Sequence, residues 1–149
     1  MVQTAGLLRN PYTVGVRIIV VNDNRQVLLV RHSYLKGWYL PGGGVDKGEI
    51  MSEAVRRELL EEAGIAAKGN PKLLGVFLNR KGLGRDHIGL FEVTDWAPSE
   101  TYLQSNTEIA DARFYSADDL PDGTTRATSA RIREYVGAGG DTGSKTGEW

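Results

Sequence analysis

The chain has no cysteine, which excludes a disulfide scaffold and a thiolate metal site. It has almost no net charge, −1 at neutral pH, so it lacks the basic footprint that binding to a nucleic-acid polymer requires. No apolar run approaches the roughly 18 residues of a membrane span. Residues 1–11 lack the basic segment and apolar stretch of a secretion signal, so the expected location is the cytoplasm, without membrane attachment. No internal repeat is visible. What is there is ordinary for a globular protein, with 40% hydrophobic and 25% charged residues over 149 positions. That length suits one domain with a real core.

The chain is organised around residues 43–65. Glycines Gly43, Gly44 and Gly48 and the acid Glu49 come first, and a helix-period segment follows that carries Arg57, Glu58, Glu61 and Glu62 and ends at Gly64 and Ile65. On a helix, residues three and four apart are neighbours, and like charges at that spacing repel. Glu58, Glu61 and Glu62 fall within an arc of about 100°. A hard divalent cation turns such repulsion into binding, because Mg²⁺ takes carboxylate oxygens. Val55, Leu59 and Ala63 form an apolar stripe that faces a core, with Leu60 at its edge, so the acids flank the stripe at the rim of a cleft. Gly64 stands where a helix C-terminus favours a left-handed residue, and Glu49 lies near the helix start, where a negative charge suits the dipole. An ordinary solvated acidic helix is the competing reading of any single glutamate. It accounts poorly for three clustered acids together with Glu49, Arg57 and the glycines.

Elsewhere the pattern predicts strands over residues 14–21 and 27–31. Turn chemistry at residues 22–25 suggests that the two form a hairpin. Arg17 interrupts the first strand and must reach water or an anion. Arg31, His32, Lys36, Trp38 and Tyr39 precede the glycine loop. Two readings stay open for them: a substrate site in which Arg31, Trp38 and Tyr39 hold a phosphate and a ring, or core aromatics with surface cations. Strands are expected over residues 72–79, 87–94 and 108–116. Residues 80–86 read as a turn and 95–107 as a loop. His87 reads as structural. Residues 128–136 read as a helix with Thr128 as N-cap and Ile132 and Val136 as apolar anchors. Residues 138–149 read as a disordered glycine-rich tail, which leaves 1–137 as a single domain. The order of elements suggests α+β, helices on a mixed sheet.

The stretch 43–65 resembles the Nudix box: Gly, five residues, Glu, seven residues, Arg-Glu, an aliphatic, one residue, Glu-Glu, one residue, Gly, an aliphatic. Gly43, Glu49, Arg57, Glu58, Leu59, Glu61, Glu62, Gly64 and Ile65 fill every fixed position. The resemblance implies the Nudix α/β/α sandwich, a mixed sheet flanked by helices. It implies that Arg57 pairs with Glu49 and braces the loop. It also implies a Mg²⁺ site, with Mn²⁺ as a substitute, built from Glu58, Glu61, Glu62 and the Gly42 carbonyl. Glu108 is the best-placed match to a further acid before the last strand, with Glu100 and Asp111 behind it. The catalytic set implied is Glu58, Glu61, Glu62, Arg57 and Glu49, and which acid is the base stays open.

The implied reaction is hydrolysis of a phosphoanhydride in a nucleoside triphosphate or a nucleoside diphosphate linked to a second group. The partner is therefore a small nucleotide, and homodimerisation is left open. A non-catalytic nucleotide-binding module is the alternative, although such proteins usually lose a box carboxylate and this chain keeps all of them. A scaffold with an acidic surface helix is a third reading. The marks of particular Nudix substrate classes are missing. Asn79, Arg80 and Lys81 stand where an ADP-ribose-type proline is expected, and the loop reads Gly-Gly-Val rather than Gly-Gly-Lys. The substrate stays unassigned.

Overall fold

The computed structural model describes residues 12–81, 84–140 and 145–149. Its middle layer is a mixed five-stranded sheet in the order β3-β1-β6-β5-β9. These strands are β1 (Thr13–Val20), β3 (Gly42–Gly44), β5 (Lys72–Asn79), β6 (Asp86–Val93) and β9 (Lys145–Glu148). A second pair, β2 (Val27–His32) with β8 (Ile109–Tyr115), is antiparallel. The helices are α1 (Met51–Ala63) and α2 (Arg126–Gly137).

Strand alternation divides the core into two layers. Val16, Ile18 and Val20 of β1, with Leu28 and Val30 of β2, pack against Val55, Leu59 and Ala63 of α1. The intervening Ile19, Val27 and Leu29 face the other way, with Leu74, Phe77 and Ile132 of α2. One helix on each side of the strands is the α/β/α arrangement.

The hairpin expected over residues 14–31 does not form. The turn itself is present, with the Asn22 N–H donating to the Gln26 carbonyl at 3.1 Å, but only one bridge, Val21 to Val27, follows it. β1 instead runs parallel to β6 along its whole length and antiparallel to β3, while β2 pairs with β8. Both strands are apolar on both faces, so each can lie between the helix layers, and the pairing is decided by partners distant in sequence.

The stretch 95–107 is not all loop. Trp96–Pro98 (β7) pairs with Ile65–Ala67 (β4), two segments too short to show a period. α2 starts earlier than expected. Thr125, not Thr128, is its N-cap and accepts the Thr128 N–H at 3.3 Å. Ile132 is fully buried, but Val136 is half exposed.

The disordered tail expected over 138–149 is also corrected. Lys145–Glu148 adds a parallel strand to β5, in register from Gly75 with Lys145 to Leu78 with Glu148. Trp149 packs edge-to-face on Phe77 at 5.9 Å. Composition suggested disorder because β9 has few apolar side chains, but an unpaired β5 edge supplies the backbone hydrogen bonds it needs. Residues 141–144 of that tail, residues 82–83 of the expected turn, and residues 1–11 of the signal argument lie outside the described residues.

Candidate functional site

α1 is set by its ends. The Ile50 carbonyl accepts the Glu53 and Ala54 N–H groups, and the Glu53 carboxylate reaches back to the Ile50 N–H at 3.1 Å. At the other end Gly64 takes φ 62°, ψ 35°, the left-handed cap expected of it. Between them the apolar face holds Ala54, Val55, Leu59 and Ala63, and Glu62 shares that face, only 5% exposed. Leu60 is the outward member.

The acids divide by depth. Glu62 accepts the Gly42 N–H at 2.9 Å. Burial pushes the Glu62 carboxyl up to about 8, with the Glu58 and Glu108 charges adding to the shift, while the Gly42 bond and Arg17 oppose it. Glu58 is also raised, by burial first and by Glu61 further, against the pull of Arg57 and Arg17. Glu61 stays at the surface, its side chain 55% exposed. A Cβ at Gly43 would lie 2.4 Å from Glu58 Oε1, so the glycine loop presses its bare backbone against that carboxylate.

Arg57 fastens the loop to the helix. Its Nε and Nη2 donate to the two oxygens of Glu49 at 2.9 and 3.0 Å. Nη2 also donates to the Gly44 carbonyl at 2.9 Å, and Nη1 to Glu58 at 2.9 Å. Hydrogen bonding from Arg57, with the Asp46 amide second, holds Glu49 down at about 2. The fork geometry of a guanidinium suits this two-oxygen grip. The expected Arg57–Glu49 brace is therefore present.

Glu108 comes to the same side through Asn106. The Asn106 Nδ2 donates to the Glu61 carbonyl at 3.1 Å, and its Oδ1 accepts the Glu108 and Ile109 N–H groups, each at 2.9 Å. Asp111 is engaged elsewhere, with Arg113 at 3.1 Å and Arg31 at 3.9 Å. The donor set here is oxygen alone, which suits a hard divalent cation. Buried carboxylates that repel one another are the groups a cation would relieve. In the arrangement observed, Arg57 stands among Glu49, Glu58 and Glu61. Among the described residues no three acid or imidazole side chains are gathered into a ready metal site.

A cleft of about 370 Å³ opens beside the glycine loop, bordered by Gly43, Gly44, Arg17, Tyr39, Asn79, Asp86, Thr125, Thr128 and Trp149. A hollow of similar size near Arg25 and Tyr135 touches none of the box residues. Of the three substrate candidates, Tyr39 borders the cleft. Arg31 and Trp38 do not; the Arg31 guanidinium instead lies 5.6 Å from the centre of the Trp38 ring, and Trp38 packs edge-to-face on Tyr115 at 5.2 Å. Burial, and then the Arg17 charge, lower the His32 imidazole below its ordinary value, with Glu108 opposing.

In the sequence Arg17 stands out as a charge that interrupts an apolar strand and must reach water or an anion, but nothing there assigns it to the site. In the fold it borders the cleft, and its charge acts on Glu58, Glu62 and His32. Asn106 and Trp149 carried no signal, because the contacts that bring them to the site, Asn106 with Glu61 and Trp149 with Phe77, join residues far apart in the chain.

The NUDIX domain family matches residues 11–136. The chain belongs to the Nudix family. It is 36% identical over 110 residues to a putative 8-oxo-dGTP diphosphatase of Bacillus subtilis, a match covering 74% of this chain and 70% of that protein. It is 35% identical to an ADP-ribose pyrophosphatase of Methanocaldococcus jannaschii, covering 72% of this chain and 64% of that one. A MutT Nudix hydrolase from Burkholderia pseudomallei superposes with a TM-score of 0.70 at 26% identity, covering 83% of this chain and 98% of that structure. The relatives are diphosphatases and pyrophosphatases, and this protein is a Nudix hydrolase. Among its described residues no helix is long and apolar enough to cross a membrane.

Proposed function

We propose that this Nudix hydrolase splits a phosphoanhydride bond in a nucleoside triphosphate or in a nucleoside diphosphate linked to a second group. The single observation that carries the reading is the buried carboxylate of Glu62 with the partly buried Glu58 carboxylate, whose charge repels it, beside a glycine loop that opens into the cleft. Glu58, Glu61, Glu62 and the Gly42 carbonyl, joined by Glu108, would hold Mg²⁺ or Mn²⁺. When bound, the ion neutralises phosphate oxygens and makes water acidic enough to attack at neutral pH.

The chain's own groups do the rest. Arg57 keeps the glycine loop against α1 by gripping Glu49 and the Gly44 carbonyl. Arg17 offers a fixed positive charge to the phosphate chain inside the cleft. A carboxylate of the cluster that is not occupied by the cation takes the proton from the attacking water. The cleft would seat the rest of the nucleotide, with Tyr39 on its wall. The 8-oxo-dGTP and ADP-ribose of the relatives' names are one triphosphate and one linked diphosphate, so both substrate classes stay within the proposal.

A panel of nucleoside triphosphates and linked diphosphates tests it, assayed with Mg²⁺, with Mn²⁺ and with excess EDTA. Turnover should need the cation and, in ¹⁸O-water, should place the label on phosphorus of one product. Full turnover in EDTA, or phosphate release from a simple monophosphate ester, would overturn it. Tight nucleotide binding with no cleavage across the panel would favour the binding module.

A further inference from the structure

We propose that Trp149 determines specificity, its indole forming the wall on which the flat base of the nucleotide stacks. The inference rests on the nucleotide reading above. β9 is an unusual strand to keep. All four of its residues are exposed, so it adds nothing to the core. Yet it is held at several points. It pairs with β5 along its length. Arg131 of α2 donates from Nη1 to the Glu148 carbonyl at 3.1 Å, and Arg80 pairs with the Glu148 carboxylate. The approach to β5 is close enough that a Cβ at Gly75 would lie 2.6 Å from the Lys145 carbonyl oxygen.

What this strand delivers is Trp149. The Trp149 N–H donates to the Leu78 carbonyl at 3.0 Å, which continues the ladder by one residue. Its indole is braced by Phe77, 5.9 Å away at 67°, and by the Arg131 guanidinium, 5.8 Å from the ring centre. The ring then borders the cleft.

The cleft has two chemically distinct ends. Gly43 and Gly44 lie on β3, one edge of the sheet, and Trp149 follows β9, the other edge. Four strand spacings of about 4.8 Å separate those edges. The bare backbone of Gly43 and Gly44, with the Glu58 carboxylate lying against Gly43, stands at one end, and a braced aromatic ring stands at the other. A nucleotide has the same polarity, phosphates at one end and a flat heterocycle at the other. Stacking on an aromatic side chain accepts any base, so Trp149 selects for a base without choosing among bases.

The test uses Trp149→Leu, which keeps apolar bulk without an aromatic face, and Trp149→Phe, which keeps a ring. Trp149→Leu should raise KM for nucleoside triphosphates about tenfold, the size expected of one lost base stack. The inhibition constant of inorganic tripolyphosphate, which has no base, should stay within twofold. Trp149→Phe should recover most of the KM. Nucleotide should quench the wild-type indole emission, and the quench should be lost in Trp149→Phe. An unchanged nucleotide KM in Trp149→Leu would overturn the proposal. So would an equal loss for tripolyphosphate, which would mean that Trp149 only supports the fold. A wild type that cleaves no nucleotide would refute the hydrolase reading instead, and the quench would still decide on Trp149.

Discussion

The Gly42 amide donates to the Glu62 carboxylate at 2.9 Å, joining the glycine loop to a helix residue twenty positions later. One hydrogen bond does not offset the burial of that carboxylate, whose pKa is raised to about 8. The consequence for stability has a definite sign. The unfolded chain releases this proton near 4.5, the group's ordinary value, while the folded protein holds it to about 8. Between those values the folded state binds more protons, so stability falls as pH rises, by up to about 1.4 kcal/mol per pH unit. In EDTA, Tm should drop between pH 5 and pH 8, and Glu62→Gln should flatten that drop. Saturating Mg²⁺ should also flatten it in wild type, because a cation favours the ionised form. Identical melting profiles for wild type and Glu62→Gln in EDTA would contradict the buried-acid account.

Leu59 and Glu62 sit one turn apart on the same buried face, and their variants should diverge. Leu59→Ala removes a fully buried side chain and should cost about 2–5 kcal/mol, with or without metal. Its activity should survive at temperatures where it stays folded. Glu62→Gln should melt at or above wild type in EDTA at pH 8 and below it in Mg²⁺, where only wild type gains full binding energy. Its kcat should fall by orders of magnitude. If Glu62→Gln keeps its activity and tracks wild type in both buffers, the cluster is only an acidic face.

Arg57 should not be replaceable by lysine. A lysine cannot hold both Glu49 oxygens and the Gly44 carbonyl at once. Arg57→Lys should lower kcat tenfold or more and Tm by a few degrees. The Glu49 carboxyl, held near 2 in wild type by Arg57, should titrate closer to its ordinary value in Arg57→Gln, as followed by NMR. Its depressed value means that this stabilisation is present above the ordinary range and is lost as pH falls toward 2. A Glu49 titration unmoved by Arg57→Gln would remove Arg57 as the brace.

Two arginines on strands of different sheets, Arg17 on β1 and Arg31 on β2, differ in what they face. Arg17 borders the cleft, whereas Arg31 lies over Trp38 outside it. Arg17→Ala should raise KM for nucleotides about 10–100-fold, the range for losing a hydrogen bond to a charged group. Arg31→Ala should leave KM within twofold. The opposite ranking in steady-state kinetics would return the substrate site to the Arg31–Trp38 surface.

Much of this protein follows from local order in the chain. The spacing of Arg57, Glu58, Glu61, Glu62 and Gly64 on one helix determined that the acids cluster, that the helix ends at Gly64 and that Val55, Leu59 and Ala63 face inward. Helix geometry has a fixed period, so residues a few positions apart settle those facts among themselves. β5 was legible to the residue for the same reason, since its bounds lie in its own pattern. Tertiary structure alone decided what depends on distant partners. It separated β1 from β2, because two strands apolar on both faces give no local sign of their neighbours. It put Glu62 deeper than Glu61, because Gly42 and the sheet cover one side of α1 and not the other. It also turned a tail of polar and glycine residues into an edge strand, because the free backbone of β5 was available to pair and Phe77 and Arg131 were there to receive Trp149.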